Sequence, residues 1–405
     1  MKVTQLYIYP IKSLRPTSLE SGFLTAEGLR YDRRFILLKV EDEKDGSQLS
    51  FKNMQVGKMP EMSLFLTAVD LPESETDSGK ITITYNPPSP QDASDDRPRE
   101  SRQLEVPLLP FKVMKEKHFK KLTISMYSSS TTGYDMGPTY NKWFSECFGY
   151  PVVLAYLGEN RRRVLGTLAP EKRNKIPRWR VWVEALSSIN NKANLLLLVE
   201  AYFFACAVST PYSVPGKAHM SPGMAAAGAV VVLTSWVLLT YRLFVKPRRT
   251  RITFADCAPY LVISQASVDN VSARLPDGHQ MDPTKFRPNI VVSGAEEAFE
   301  EDFWTELVIG PNKARLLLTG NCVRCPSLNV NYTTGKMSEE DSGMVLKRLM
   351  KDRRVDRGAK YSPVFGRYSF LKWTGEDKPI RVGDPIEIGA QGKERTTVDW
   401  PGLTN

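Results

Sequence analysis

Apolar and polar positions alternate along this chain in short stretches that are broken often. Residues 3–9 alternate and stop at Pro10, which predicts a first β-strand. Residues 35–40 predict a second, and 62–70, 81–85 and 152–156 read as further strands. Between 73 and 102, outside 81–85, the residues are rich in Pro, Ser, Asp and Glu and predict a mobile loop. Gly137-Pro138 ahead of Tyr140, Trp143, Phe144 and Phe148 predicts a short amphipathic helix with Pro138 near its first turn. In the second half, strands are expected at 260–264, 290–293 and 307–309. A strand near 316–318 leads into Gly320-Asn321-Cys322-Val323-Arg324-Cys325-Pro326, so the cysteine pair lies on a loop leaving it. A late strand is entered through 361–368, and 380–383 with 386–388 close the fold. Helices are expected from Ser264, as a cap, through 275 and from 338 to 350, with a short turn or helix at 296–304. Many short strands and few long helices predict a mainly β chain with some α, built as small barrels or sandwiches.

The pattern breaks after Glu159. A basic region opens with Arg161, Arg162 and Arg163 and runs to Arg180. Residues 193–214 are strongly apolar apart from Glu200, and 224–241 carry no charge. Basic residues 242–251 close the segment. A span needs about 20 mostly apolar residues, so one or two transmembrane helices are expected here. If both segments span, the two basic flanks lie on the same, cytosolic side, whereas a single span puts the two halves on opposite sides, where they cannot form a joint site. Buried core helices and a gene-model artefact are the alternatives.

The formal net charge of +10 invites a nucleic-acid reading, yet thirteen basic residues fall in those two flanks. The charge is local, and a membrane surface explains it better than nucleic acid does. The five unpatterned cysteines argue against a secreted disulfide framework and for a reducing compartment. The N-terminal residues enter a strand pattern directly, with no signal or transit sequence.

Candidate chemistry gathers on the cysteine loop. Arg324 between the thiols is expected to favour a thiolate. Four readings stand open: half of a structural zinc site, a thioredoxin-like redox pair, two buried core thiols, or a single soft ligand for a metal or metal-bearing cofactor. Elsewhere Lys12-Ser13, at the end of the first strand, suits an anion such as phosphate. Arg34 and Arg287 stand at strand starts, where each can add an anion contact.

Together these motifs resemble the MOSC proteins, and within them the amidoxime-reducing branch. The similarity is weak to moderate over residues 2–158 and close over 252–390. It rests on Ile8-Tyr9-Pro10-Ile11-Lys12-Ser13, on Phe286-Arg287-Pro288-Asn289 with 290–294, on Cys322-x-x-Cys325, and on Ser362-Pro-x-Phe-Gly-x-Tyr368 with 382–385. The resemblance implies an N-terminal MOSC-type β-barrel (1–158) and a MOSC β-barrel domain (252–395) followed by a tail (396–405), and it skips the basic-flanked apolar insertion (159–251). It implies a molybdenum cofactor with Cys325 as the protein's metal ligand and catalytic residue. Lys12, Ser13, Arg34, Asp256, Arg287, Arg324 and Tyr368 would bind the cofactor. The implied reaction is reduction of N-hydroxylated substrates, amidoximes and hydroxylamines, with electrons from cytochrome b5 and its reductase. A membrane-anchored enzyme facing the cytosol follows, at the mitochondrial outer membrane, with no nucleic-acid partner.

Departures from the family pattern are Ala255 and Cys257, where hydroxyls flank the aspartate, and Val323 in place of serine. Nothing resembles the pyridoxal-phosphate domain of the related cofactor sulfurases. The rival expectation is a cofactor-binding or sulfur-carrier protein without turnover, and a third is a membrane scaffold with a degenerate site.

Overall fold

A computed structural model describes residues 1–42, 49–88, 98, 100–173, 250–338, 344–372 and 374–399. Met1–Arg173 and Thr250–Asn405 fold as one unit, and the stretch 174–249 is a second unit outside the described residues.

The largest sheet has eight strands. Its order is Thr17–Leu19, Lys2–Ile8, Ile290–Ser293, Tyr260–Ser264, Val364–Leu371, Ala314–Val323, Trp304–Ile309 and Ile386–Gln391. The first strand of the chain therefore sits inside the sheet of the second half, with Leu6 opposite Ile290 and Val3 opposite Val292. Burial explains the placement. Val3, Leu6 and Ile8 pack with Val262, Ile290, Trp304 and Leu316 in one core, while Tyr7 and Tyr9 face a second core with Ile263, Phe286 and Phe365. A strand with apolar residues on both faces needs cover on both faces, and this sheet supplies it.

The first half also builds a five-stranded sheet in the order Lys120–Met126, Ser129–Asp135, Val152–Tyr156, Phe35–Asp42 and Leu49–Asn53. A three-stranded sheet of Phe65–Asp70, Lys80–Tyr85 and Arg102–Pro107 packs with it. The helix Pro138–Phe148 starts where Pro138 needs no amide partner and stops at Gly149, whose φ of 76° is left-handed. Its buried face of Trp143, Phe144, Cys147 and Phe148 meets Phe65, which stacks on Phe148 at 4.6 Å between ring centroids.

The strands expected at 152–156, 260–264 and 290–293 are found with those bounds. Other elements differ. The helix after Ser264 ends at Ser272, and the Ser264 hydroxyl makes no capping bond. The expected 338–350 helix is helical over Val345–Leu349, while 339–343 lie outside the described residues. Within the expected loop, Asp77 accepts from the Glu73 amide at 3.0 Å and from Gly79 at 2.9 Å, which makes a defined turn before the Lys80–Tyr85 strand.

The transmembrane-like insertion needs correction. Among the described residues no helix is long and apolar enough to cross a membrane, and the segments 193–214 and 224–241 lie outside the described residues. Over the described residues the fold class is mainly β with barrel-like sheets. Arg162 also departs from a solvated basic flank. That side chain is wholly buried and donates to the carbonyls of Ala255 at 2.7 Å and Met126 at 3.4 Å.

Candidate functional site

Several chain segments converge on one cleft of about 180 Å³. The first is the turn after the Lys2–Ile8 strand. The Lys12 amide donates to the Phe35 carbonyl at 2.8 Å, and Ser13 takes a left-handed φ of 71°, which turns both side chains out of strand register. The second is Asp32-Arg33. The buried Asp32 carboxylate accepts from the Tyr9 amide at 2.8 Å and from the Arg33 guanidinium, so Arg33 is aimed by a carboxylate that never reaches the cleft. The third is 255–258, and 286–289, 322–327 and Tyr368 complete the wall, with 55–57 and Tyr127 at its edge.

Arg287 also has a left-handed φ, 57°, and its guanidinium lies over the Tyr9 ring at 4.3 Å. One nitrogen donates to the Leu14 carbonyl at 3.0 Å, while the buried Nη2 has no hydrogen-bond partner. A buried guanidinium N–H without an acceptor is costly, and a bound anion would satisfy it. Asn289 latches the same wall, donating to the Tyr7 carbonyl at 3.1 Å and accepting from the Leu261 amide at 3.2 Å.

The cysteine loop separates its two thiols. Cys322 is buried at the end of the Ala314–Val323 strand, and Cys325 beyond it is exposed. Arg324 bonds the buried thiol, Nη1 to Cys322 Sγ at 2.8 Å, and anchors itself on the Phe286 carbonyl at 2.9 Å. Burial pulls the Arg324 pKa down, but the neighbouring thiols outweigh it and hold it up, so this cation persists. The exposed Cys325 Sγ lies 3.1 Å from Ser327 Oγ. Cys257 is a buried neutral thiol: burial pushes its pKa up and Asp256 adds to the push. Tyr368 behaves alike, raised by burial and then by Cys257 and Cys322.

The cleft is strongly positive. Lys12, Arg33, Arg287 and Arg324 line it against the single carboxylate of Asp256. Burial raises the Asp256 pKa, but Lys12, Arg33 and Arg162 outweigh it and keep the carboxyl below its ordinary range. Such a surplus of fixed cations suits a ligand with several negative charges.

Of the residues singled out from the sequence, Lys12, Ser13, Asp256, Arg287, Arg324, Cys325 and Tyr368 share this cleft. Arg34 does not. Its guanidinium donates to the Gly158 carbonyl and lines a separate cavity with Arg30, Arg161 and Glu159. Arg33 takes the cleft instead, because its left-handed φ of 51° rotates the strand entry by one residue. Sequence reasoning also passed over Tyr127, Asn289 and Ser327 as site residues. Ser327 was within reach, two positions after the exposed thiol. Among the described residues no three His, Cys, Asp or Glu side chains gather as a metal site, so a metal here would bring its other ligands with it.

The sequence that builds this cleft matches a known class. Residues 1–151 match the MOSC N-terminal beta barrel domain and 249–387 match the MOSC domain, and the chain belongs to the MOSC-domain proteins. Within that class it is similar to the human mitochondrial amidoxime-reducing component 1, 34% identical over 147 residues, which is 35% of this chain and 40% of that protein. The rat mitochondrial amidoxime reducing component 2 is 38% identical over 136 residues, 33% of this chain and 38% of that one. The matches thus span about two fifths of these relatives. A solved structure of the YUAD protein from Bacillus subtilis is 14% identical, with a TM-score of 0.22 over 35% of this chain and 69% of that one. At that score the likeness carries no argument.

Proposed function

We propose that this chain binds a molybdenum cofactor and reduces small N-hydroxylated substrates, amidoximes and hydroxylamines, to amidines or amines and water. The names of its relatives support the reaction class. The observation that carries the reading is the pairing of one exposed thiol with a cation-lined cleft. Cys325 stands beside four fixed cations, and a buried Arg287 N–H awaits an acceptor.

These residues fit the cofactor. A soft thiolate suits molybdenum, and guanidinium and ammonium groups suit the pterin's phosphate. Cys325 would be the metal's protein ligand. Lys12, Ser13, Arg33 and Arg287 would hold the phosphate, with Asp256 and Tyr368 as further contacts. Arg34 is left out, because its side chain is committed to the other cavity. When bound, the cofactor supplies the two-electron reduction of an N–O bond, and two protons complete the release of water. The protein's own part is placement: Arg324 ties the cysteine loop to the Phe286 carbonyl, and Lys12 fixes Asp256 at the cleft. Electrons would come from a cytochrome b5-type donor. The mitochondrion is the compartment we propose from the names of the relatives.

Elemental analysis of purified wild type, Cys325→Ser and Cys322→Ser tests this. Near-stoichiometric molybdenum in wild type and Cys322→Ser, with loss or an altered metal spectrum in Cys325→Ser alone, supports the ligand role. Wild type without molybdenum from a cofactor-competent host sinks the reading. Metal without reduction of an amidoxime, given an external electron donor, favours a cofactor holder instead.

A further inference from the structure

The Lys120–Met126 and Ser129–Asp135 strands are joined by a turn of two residues, Tyr127 and Ser128. Tyr127 sits in it with a φ of 56°, a left-handed conformation that tyrosine rarely adopts. Its neighbours show what holds it there. Arg162, wholly buried, grips the Met126 carbonyl on one side and the Ala255 carbonyl on the other, which docks the hairpin tip onto the segment carrying Asp256. The tyrosine hydroxyl then lies 3.3 Å from Asp256 Oδ1. The side chain lines the cleft that also holds Cys325, yet the residue stays 48% exposed. An aromatic ring held in a strained turn at the solvent edge of a reactive cleft meets any ligand that enters. Backbone strain at such a place persists only where the surroundings enforce it.

We infer that Tyr127 is a specificity-determining residue, whose ring favours flat, conjugated N-hydroxylated substrates over small aliphatic ones at the entrance to the cleft. This rests on the reductase reading above. The ring supplies the contact and the hydroxyl only orients it: the Asp256 charge beside it keeps the phenol protonated, so it remains a donor to Asp256. A stacked pair contributes about 0.5–1.5 kcal/mol, equivalent to roughly a two- to twelvefold change in affinity.

The test uses the full chain loaded with cofactor, as wild type, Tyr127→Phe and Tyr127→Gly. Glycine removes the ring and relaxes the turn, so a folding defect cannot imitate the effect. The ratio of kcat/KM for benzamidoxime to kcat/KM for hydroxylamine, which cancels any shared effect on the cofactor site, falls about fivefold in Tyr127→Gly and stays within about twofold of wild type in Tyr127→Phe. An unchanged ratio in Tyr127→Gly overturns the inference. So does a loss in Tyr127→Phe equal to that in Tyr127→Gly, which would move the role to the hydroxyl. Saturation-transfer NMR with benzamidoxime on the cofactor-free chain reads the ring contact without turnover. Transfer in wild type and Tyr127→Phe but not in Tyr127→Gly supports the contact even if the loaded enzyme reduces neither substrate. Equal transfer in all three removes it.

Discussion

Lys12 and Asp256, 244 residues apart in the chain, meet in the cleft, where the buried ammonium donates to the carboxylate. The lysine comes from the turn after the first strand and the aspartate from the segment before the Tyr260–Ser264 strand. The pair therefore joins the two halves at the place where their cations converge.

Removing the ammonium should free the carboxylate. Burial favours the protonated form of Asp256, and Lys12 is the largest influence against it. In Lys12→Met the Asp256 pKa should rise toward the ordinary carboxylate range, followed by carboxyl NMR. The sign for stability follows from the depressed value. The contribution is present above the unfolded-state pKa and is lost as pH falls through the folded one. The variant should show a weaker acid-side decline from this residue. An Asp256 titration like that of wild type would mean that Arg33 and Arg162 suffice.

Glu301 should give the opposite pH dependence. It is fully buried and accepts from Ser267 Oγ at 2.7 Å, and burial raises its pKa from 4.5 to about 7. A raised folded value stabilises fully below the unfolded pKa, and the contribution disappears as pH rises through about 7. The loss amounts to about 3 kcal/mol between these limits. Urea unfolding of wild type and Glu301→Gln at several pH values should show that slope in wild type and a flatter one in the variant.

The buried pair Arg353–Asp302 should be costly to break. Arg353 Nη2 donates to both carboxylate oxygens, at 2.9 and 2.8 Å, and Arg395 adds a bond at 2.8 Å. Arg353→Ala leaves a buried carboxylate with one partner fewer and should cost about 3–5 kcal/mol by chemical denaturation. Arg353→Met with Asp302→Asn should recover much of that. A cost under about 1 kcal/mol for the single change would refute the assignment.

Gly358 should tolerate no side chain. A methyl there would overlap the Val398 carbonyl oxygen. Asp356 binds the amides of Gly358 at 2.8 Å and Val398 at 3.0 Å, and Asn321, next to Cys322, donates to both Asp356 and the Thr396 carbonyl at 2.8 Å. Gly358→Ala should lift residues 396–399 and cost about 1–3 kcal/mol. Faster proteolytic trimming of that segment is the readout, and unchanged trimming would contradict it.

Legibility in the sequence followed chemistry that is local. The strands at 152–156, 260–264 and 290–293 are unbroken apolar runs bounded by turn residues, so neighbours alone define them. Cys325, Lys12 and Arg287 were visible because each belongs to a recognisable motif. Arg33 was hidden because choosing between adjacent arginines requires the backbone φ at the turn, which no residue type there dictates. Arg162 was hidden more deeply. Three consecutive arginines look alike in sequence, and only the carbonyls of Met126 and Ala255 single out the middle one. Tyr127 gave no signal, since its importance lies in contact with a residue more than a hundred positions away.

The placement of the Lys2–Ile8 strand has a consequence during synthesis. Leu6 must wait for Ile290 before its ladder can close, an interval of tens of seconds at ordinary elongation rates. Until then the chain's first strand has only Thr17–Leu19 beside it, and its other edge stays open with apolar side chains on both faces. The nascent protein thus spends most of its translation with that edge in need of shielding, and chaperone demand should fall once residue 290 has emerged from the ribosome.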